Sequence, residues 1–419
     1  MAKYSKKELS WIFYDWANSA YSITITTAIL PVYFKSVFQN AGGSGSLSTA
    51  YWGYTNSVAT LILAVMAPVL GSIADYYGYK KKFFTAFFLL GVVFTALLSI
   101  VPQTKWMLLL GFYVLTMVGF YGANVFYDAF LVDVTEEKRM DIVSSMGFGL
   151  GYIGSTIPFM ASMALILLSQ KGKISIPVIT ATKISFLITA GWWGLFSLPI
   201  LKNVHQQYGI EPEPNPVRKS FARIRDTFHN IRRHRSAFMF LLAYFFYIDG
   251  VDTIIKMSTA YGTDLGISSS QLMIILLATQ FVAFPFAILY GKLAERFPGK
   301  TMLFVGICIY TIICIYGFFL KNVRDFWILA MMVATSQGGM QALSRSYFGK
   351  LIPKEKSNEF FGFYNIFGKF AAIMGPLLMG VITQITGKSN YGVVSIILLF
   401  VIGGVLLKRV PAEEKSLTS

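Results

Sequence analysis

Apolar residues run along almost the whole chain in stretches of about 20 or more, the length a helix needs to cross a hydrocarbon core. They predict helices near 11–37, 49–74, 83–101, 106–132, 141–168, 182–201, 237–260, 269–294, 301–320, 325–349, 358–385 and 390–408. The fold class is therefore an all-α polytopic membrane protein with twelve transmembrane helices. Six of these precede and six follow the only long polar segment, which divides the chain into an N-terminal bundle (1–201), a central loop (202–236), a C-terminal bundle (237–408) and a tail (409–419). An even number of crossings places both termini on one side.

Composition sharpens this picture. Of 419 residues 55% are hydrophobic and 13% charged, about half the roughly 25% charged content of soluble domains. Disordered, collagen-like and disulfide-rich secreted classes are excluded. A formal net charge of +16 in a soluble chain would suggest a nucleic-acid partner. Here the basic residues gather in alternate connections instead: Lys3, Lys6 and Lys7; Lys80, Lys81 and Lys82; Arg218 to Arg235; Lys350, Lys354 and Lys356; Lys408 and Arg409. That is the positive-inside pattern, so the termini and central loop are assigned to the cytoplasm, with a lipid bilayer and no nucleic acid as partner. The first apolar stretch opens on Trp11, Tyr14, Asp15 and Trp16, without the features of a cleavable signal peptide. Cys308 and Cys314 lie in one apolar stretch and read as buried hydrophobes.

The central loop opens with a proline-rich part, Glu211 to Pro216, that breaks any helix. Beyond it Phe221, Ile224, Phe228 and Ile231 fall on one helical face and Arg218, Arg225, Arg232 and Arg233 on the rest. That pattern suits either a helix lying on an anionic leaflet or a solvated linker helix. His205, His229 and His234 have no ligand-spaced partner and read as surface residues, so no metal or cofactor is expected.

Two motifs recur across the halves. Gly71, Asp75, Gly78, Lys80 and Lys81 close the second helix, and Gly291, Glu295, Gly299 and Lys300 close the eighth, at an offset of about 220. Glu137, Lys138 and Pro158 fall over Glu355, Lys356 and Pro376 at about 218. Two parallel six-helix repeats follow. The Gly-x-x-x-acid-x-x-Gly-x-basic-basic turn resembles the signature loop of the major facilitator superfamily. Its glycines permit a tight turn, its acid accepts hydrogen bonds, and its lysines anchor at headgroups.

The first helix narrows the resemblance. Tyr14, Asp15, Trp16, Ala17, Asn18, Ser19, Ala20 and Tyr21 are similar to the signature of the vacuole-effluxer branch of that superfamily. Pro31 with Tyr33 and Phe34, Asn124 with Tyr127 and Asp128, and Gly147 with Gly149 and Gly151 continue the likeness. Fungal members of the branch are linked to autophagy and export amino acids from the vacuole. The compact loops here resemble a bacterial member, which implies the plasma membrane; a vacuolar location applies only to a eukaryotic chain.

An ionisable group within the bilayer is costly unless paired or wetted, so each one is a candidate for function. Those residues are Asp15, Asp128, Asp249, Asp252, Lys256, Arg345 and Lys369. At 1.5 Å per residue Asp15 lies only about 8 Å from the cytoplasmic boundary, and Asp128 and Arg345 are similarly shallow, which suits an inner gate. Asp249 lies roughly 18 Å deep. It shares one helical stripe with Asp252 and Lys256, so Lys256 is expected to neutralise Asp252 and leave Asp249 as the proton carrier. A structural ion-pair stripe tied to Lys369 is the alternative.

Asp15 and Asn18 with the hydroxyl of Tyr21 suit a small zwitterion, a carboxylate for its amine and polar tips for its carboxylate. Trp11 and Trp16 read as an interfacial belt. Gln337, Gln341 and Arg345 form one polar face of the tenth helix, the glutamines for solute contact and Arg345 for a gate salt bridge with Asp128. Asn124 and Tyr127 add polar points. Gly147, Gly151 and Gly154, like Gly375 with Pro376 and Gly380, mark close helix approach or bending.

No phosphate loop is present, because Ala294 stands where the motif needs its first glycine, and no nucleophile or acid–base set supports an enzyme. The expected function is proton-coupled secondary transport of a small polar solute, amino acids or related zwitterions, in the direction of export and by a monomer. An exporter of toxic amphiphiles, an uncoupled facilitator and a transport-dead sensor or scaffold are the alternatives.

Overall fold

The computed structural model describes residues 4–229, 234–264 and 266–411, and among them the chain is helical, with one isolated bridge between Tyr76 and Ile210 and no strand. The helices are α1 (Lys6–Tyr21), α2 (Ile29–Asn40), α3 (Gly45–Ala74), α4 (Tyr79–Leu97), α5 (Trp106–Ala129), α6 (Leu131–Val134), α7 (Met140–Gln170), α8 (Val178–Phe196) and α9 (Leu198–Asn203). After them come α10 (Pro216–His229), α11 (Arg235–Asp264), α12 (Ser269–Ala294), α13 (Gly299–Phe318), α14 (Val323–Leu351), α15 (Ser357–Thr386), α16 (Ser389–Ser395) and α17 (Ile397–Arg409).

Ten helical stretches among the described residues are long and apolar enough to cross a membrane. The two remaining lengths of the expected twelve are α1 with α2, and α14. The first carries Asp15, Asn18 and Lys35, and α14 carries Arg324, Asp325, Arg345 and Lys350. These polar residues lower the hydropathy of the two stretches.

α1 begins on a capping box, Ser5 Oγ accepting from Glu8 N–H at 3.1 Å and Glu8 Oε2 from Ser5 N–H at 2.7 Å. It passes into α2 through a π-helical turn, Ser22–Ala28. Two physical causes meet there. The hydroxyls of Thr26 and Thr27 donate to the carbonyl of Ser22, competing with the ladder. Pro31 has no N–H to return to Thr27, so the wider turn places the proline in the first turn of a fresh helix, where it is tolerated.

The chain forms two compact units. One comprises Met1–Val134 and Leu150–Ser220, the other Thr135–Gly149 and Phe221–Ser419. The two halves of the chain sequence each show one copy of the repeat. α3 ends with Asp75 as its C-cap and α12 with Glu295 as its own; short 3₁₀ turns, Glu137–Arg139 and Lys354–Lys356, precede α7 and α15, which contain Pro158 and Pro376. Gly78 takes the left-handed conformation (φ 82°) that the tight turn after α3 requires.

α4 and α5 of the first unit touch through Gly91 and Gly119. A Cβ on Gly119 would overlap the backbone of Gly91 and lie 2.9 Å from the Phe87 carbonyl. Backbone cannot yield as a side-chain tip can, so Gly119→Ala is expected to destabilise the protein by about 1–3 kcal/mol. Gly111→Ala on the same helix, with open space around it, should be neutral or stabilising by roughly 0.5–1 kcal/mol. Thermal unfolding of the two variants in detergent checks this; equal midpoints would contradict it.

Two expectations need correction. Trp11 is not at an interface: it is fully buried, stacked on Tyr127 at 4.5 Å. Trp16 is half-buried and stacks on Trp192, whose indole N–H donates to the Trp16 carbonyl at 3.3 Å. Cys314 is buried as expected, but Cys308 lies on the exposed face of α13. In the central loop α10 starts on Pro216, the last residue of the proline-rich part, with Phe221 exposed. Ile231, Arg232, Arg233 and the side chain of Phe228 lie outside the described residues.

Candidate functional site

In the first unit the signature residues of α1 face α5. Asn18 Nδ2 donates to Asn124 Oδ1 at 2.9 Å, and the Trp11 indole N–H donates to the Tyr127 carbonyl at 2.8 Å. The Tyr127 ring is held between Trp11 and Tyr14. Asp15 and Asp128 are both buried, at 8% and 9% exposure, a hair above full enclosure. This is a polar point built on two helices and backed by aromatic rings, so its side chains are held in place by packing. Tyr21 does not join it. Its ring stacks on Phe120 and its hydroxyl pairs with Thr116 Oγ1 at 2.7 Å, which makes it part of the bundle core.

The signature loop does something the sequence did not reveal. Its buried cation is Lys80 rather than Lys81: Lys80 Nζ lies 2.6 Å from Asp133 Oδ2, with neither side chain exposed, and donates to the Ala129 carbonyl at 3.2 Å. The other oxygen of Asp133 accepts from the backbone N–H groups of Gln207 and Tyr208 at 2.7 and 3.0 Å. Gln206 completes the attachment, accepting from Gly78 N–H at 3.0 Å and donating to the carbonyls of Ala74 and Asp75. Asp75, itself buried, also accepts from Ile210 N–H through its carbonyl at 2.8 Å. The start of the central loop is thus a strap bound across the loop between α3 and α4. Lys80 was legible in principle, since it falls on one helical face with buried Phe84, Phe87, Phe88 and Gly91.

In the second unit Asp249 on α11 is wholly buried. Its Oδ1 accepts from the Gly375 N–H on α15 at 2.9 Å and from the Thr253 hydroxyl at 3.3 Å, while Oδ2 has no hydrogen-bond partner among the described residues. Gly375 is required here, because a Cβ would overlap Thr253 Oγ1 and crowd Asp249. Asp252 and Lys256 pair with each other at 3.6 Å, with side chains 25% and 55% exposed. Asp252 and Lys256 thus form an ion pair, and Asp249 has no ion pair among the described residues. Lys369 is half-buried; the α15 group that meets Asp249 is a backbone amide instead.

α14 supplies the remaining polar face, with Gln337 buried and Gln341 half-buried. Tyr–Ser contacts hold it to its neighbours, Tyr247 to Ser344 at 2.8 Å and Tyr290 to Ser336 at 3.0 Å. At its far end Arg345 Nε and Nη2 donate to the hydroxyl and carbonyl of Ser144 at 3.0 and 3.1 Å, with the guanidinium 4.4 Å above the Phe148 ring. Asp141 accepts from Lys350 Nζ and from Ser346 Oγ, each at 2.6 Å. Sequence reading missed Asp141, Ser346 and Lys350, which join the Thr135–Gly149 segment to α14. Gly291 lies against the same segment, where a Cβ would come within 2.6 Å of Ser145 Cβ.

The sequence profile of the family described as "Vacuole effluxer Atg22 like" matches residues 4–136 and 132–418. The chain belongs to the Atg22-like vacuole effluxer family. A relative, the uncharacterized MFS-type transporter YxiO of Bacillus subtilis (strain 168), is 62% identical over 416 residues, covering 99% of this chain and 97% of that one. Autophagy-related protein 22 of Eremothecium gossypii is 23% identical over 401 residues, covering 87% and 76%. Among solved structures, the human organic anion transporter MFSD10 (TETRAN) superposes with a TM-score of 0.71 at 11% identity over 97% of this chain and 100% of that one. The proton:xylose symporter XylE gives 0.71 at 12% identity over 97% and 94%. The fold of this Atg22-like chain is that of the major facilitator superfamily, and the protein is a membrane transporter rather than an enzyme.

Proposed function

We propose that this protein is a secondary active transporter that exports a small polar organic solute, an amino acid or related zwitterion, across the plasma membrane in exchange for protons. Alternating access runs through twelve crossings when the stretch 6–40 and α14 are counted with the ten apolar spans, with both termini cytoplasmic and the monomer as the working unit. The observation that carries the reading is Asp249: a carboxyl inside an apolar spanning helix, with one oxygen anchored and, among the described residues, no ion pair and no hydrogen bond to the other. Such a group is costly to keep there and is suited to taking up and releasing a proton.

Asp15, Asn18, Asn124 and Tyr127 are assigned to solute contact within the first unit, and Gln337 and Gln341 on α14 in the second. Asp128, Arg345 and the two signature loops, Gly71, Asp75, Gly78 and Lys81 with Gly291 and Glu295, are assigned to the cytoplasmic gate. The bonds of Asp141 to Lys350 and of Arg345 to Ser144 are ones such a gate would break on opening. Purified protein in liposomes, given an imposed pH gradient and a mixture of labelled amino acids and peptides, tests the proposal. Selective accumulation of zwitterions that collapses with the gradient is expected; no accumulation of any amino acid would overturn the substrate class.

A further inference from the structure

Beside the strap, on the first unit, lies a surface cavity of about 680 Å³ lined by Gly78, Lys81, Lys82, Thr85, Ala86, Leu89, His205 and Gln206. Three features set it apart. Six of its residues, 78, 81, 82, 85, 86 and 89, fall on one stripe at and below the start of α4, so the lining changes along the helix from two lysines through a threonine to alanine and leucine. The opposite wall is fixed, because Gln206 is bonded on both sides to the turn after α3. Basic groups from two separate segments converge there: Lys81 Nζ lies 3.2 Å from His205 Nε2, and Lys82 Nζ sits 5.2 Å from the Tyr79 ring centre. His205 is exposed, in keeping with its reading as a surface residue, and its ring meets Lys81 there.

We infer that this cavity binds the phosphate of an anionic phospholipid headgroup. Lys81 and Lys82 offer N–H donors to a phosphate oxygen, His205 Nε2 accepts from the Lys81 ammonium and positions it, and the repulsion between the two adjacent ammonium groups is relieved by an anion. The lower lining excludes a purely soluble ligand as the best fit. From Lys81 to Leu89 the helix descends eight residues, about 12 Å at 1.5 Å per residue. Leu89 is half exposed on the flank of a membrane-spanning helix, where it meets an acyl chain rather than water. The occupant is an amphiphile, charged at one end and apolar at the other. Because the strap supplies His205 and Gln206, bound lipid also holds the strap against the signature loop. This goes beyond solute transport and does not depend on the solute.

Delipidated protein in neutral detergent, offered phosphatidylglycerol and phosphatidylcholine together, tests the assignment by native mass spectrometry. Wild-type protein is expected to retain phosphatidylglycerol preferentially. A K81Q/K82Q/H205Q variant should lose the preference, and Lys171→Gln, removing an exposed charge after α7, should keep it. Ala86→Trp fills the cavity without changing charge and should also lose it, which separates occupancy from folding and from net charge. Excess inorganic phosphate should not displace the lipid. Equal retention of the two lipids by wild type, a preference surviving Ala86→Trp, or displacement by inorganic phosphate each overturns the inference.

Discussion

Replacing Lys80 with Met is expected to destabilise the protein by about 3–5 kcal/mol, because it leaves the carboxylate of Asp133 buried without its cation. Neither member of the pair is exposed, so water cannot take the missing partner's place. The neighbouring Lys81→Met should cost less than about 1 kcal/mol, as a half-exposed charge makes little net contribution. The double variant Lys80→Met/Asp133→Leu should recover only part of the loss. It removes the unpaired charge but strips the N–H groups of Gln207 and Tyr208 of their acceptor, and each orphaned donor costs on the order of 1–3 kcal/mol. Thermal unfolding in detergent across the four proteins gives the order. Similar midpoints for Lys80→Met and Lys81→Met would show that the buried pair does not hold the strap.

The second large effect is expected at Asp249→Asn. The amide oxygen can still accept from Gly375 N–H and Thr253, so folding should be retained, but the side chain no longer carries a proton. Accumulation driven by a pH gradient should therefore fall to passive equilibration, while exchange of labelled for unlabelled solute continues. Loss of exchange together with accumulation would assign Asp249 to solute binding or to the alternation step instead. Asp252→Asn offers the contrast. Its carboxylate is half-solvated and paired with Lys256, and its removal should leave the coupling in place.

What the sequence shows and hides follows from how each feature is encoded. Hydrophobic runs reveal spans because lipid imposes one requirement on about 20 consecutive residues. The repeat was visible because glycine, proline and acid recur at helix ends, where backbone geometry leaves little choice of residue. Asp249 stood out by depth alone. Its partner did not, since a backbone N–H has no side-chain signature, although Gly375 beside Pro376 marked the close approach that permits the contact. Lys80 is one of three consecutive lysines with identical chemistry, and only its register with the buried phenylalanines of α4 distinguishes it. Asp133 fell just past the expected end of its helix, and the strap that binds it carries no periodic pattern. Trp11 shows the opposite failure: an aromatic near a helix start fits an interfacial belt or a packed core equally well by sequence, and the Tyr127 ring decided between them.

Proton movement driven by solute tests the account most directly. Liposomes holding the protein and a pH-sensitive dye, with no imposed pH gradient, are given a gradient of the amino acid that the wild-type protein accumulates. The account predicts a change of internal pH that tracks solute flux in the wild-type protein and is absent in Asp249→Asn, although solute still crosses. Solute flux without any pH change in the wild-type protein, or an undiminished pH change in Asp249→Asn, would contradict it.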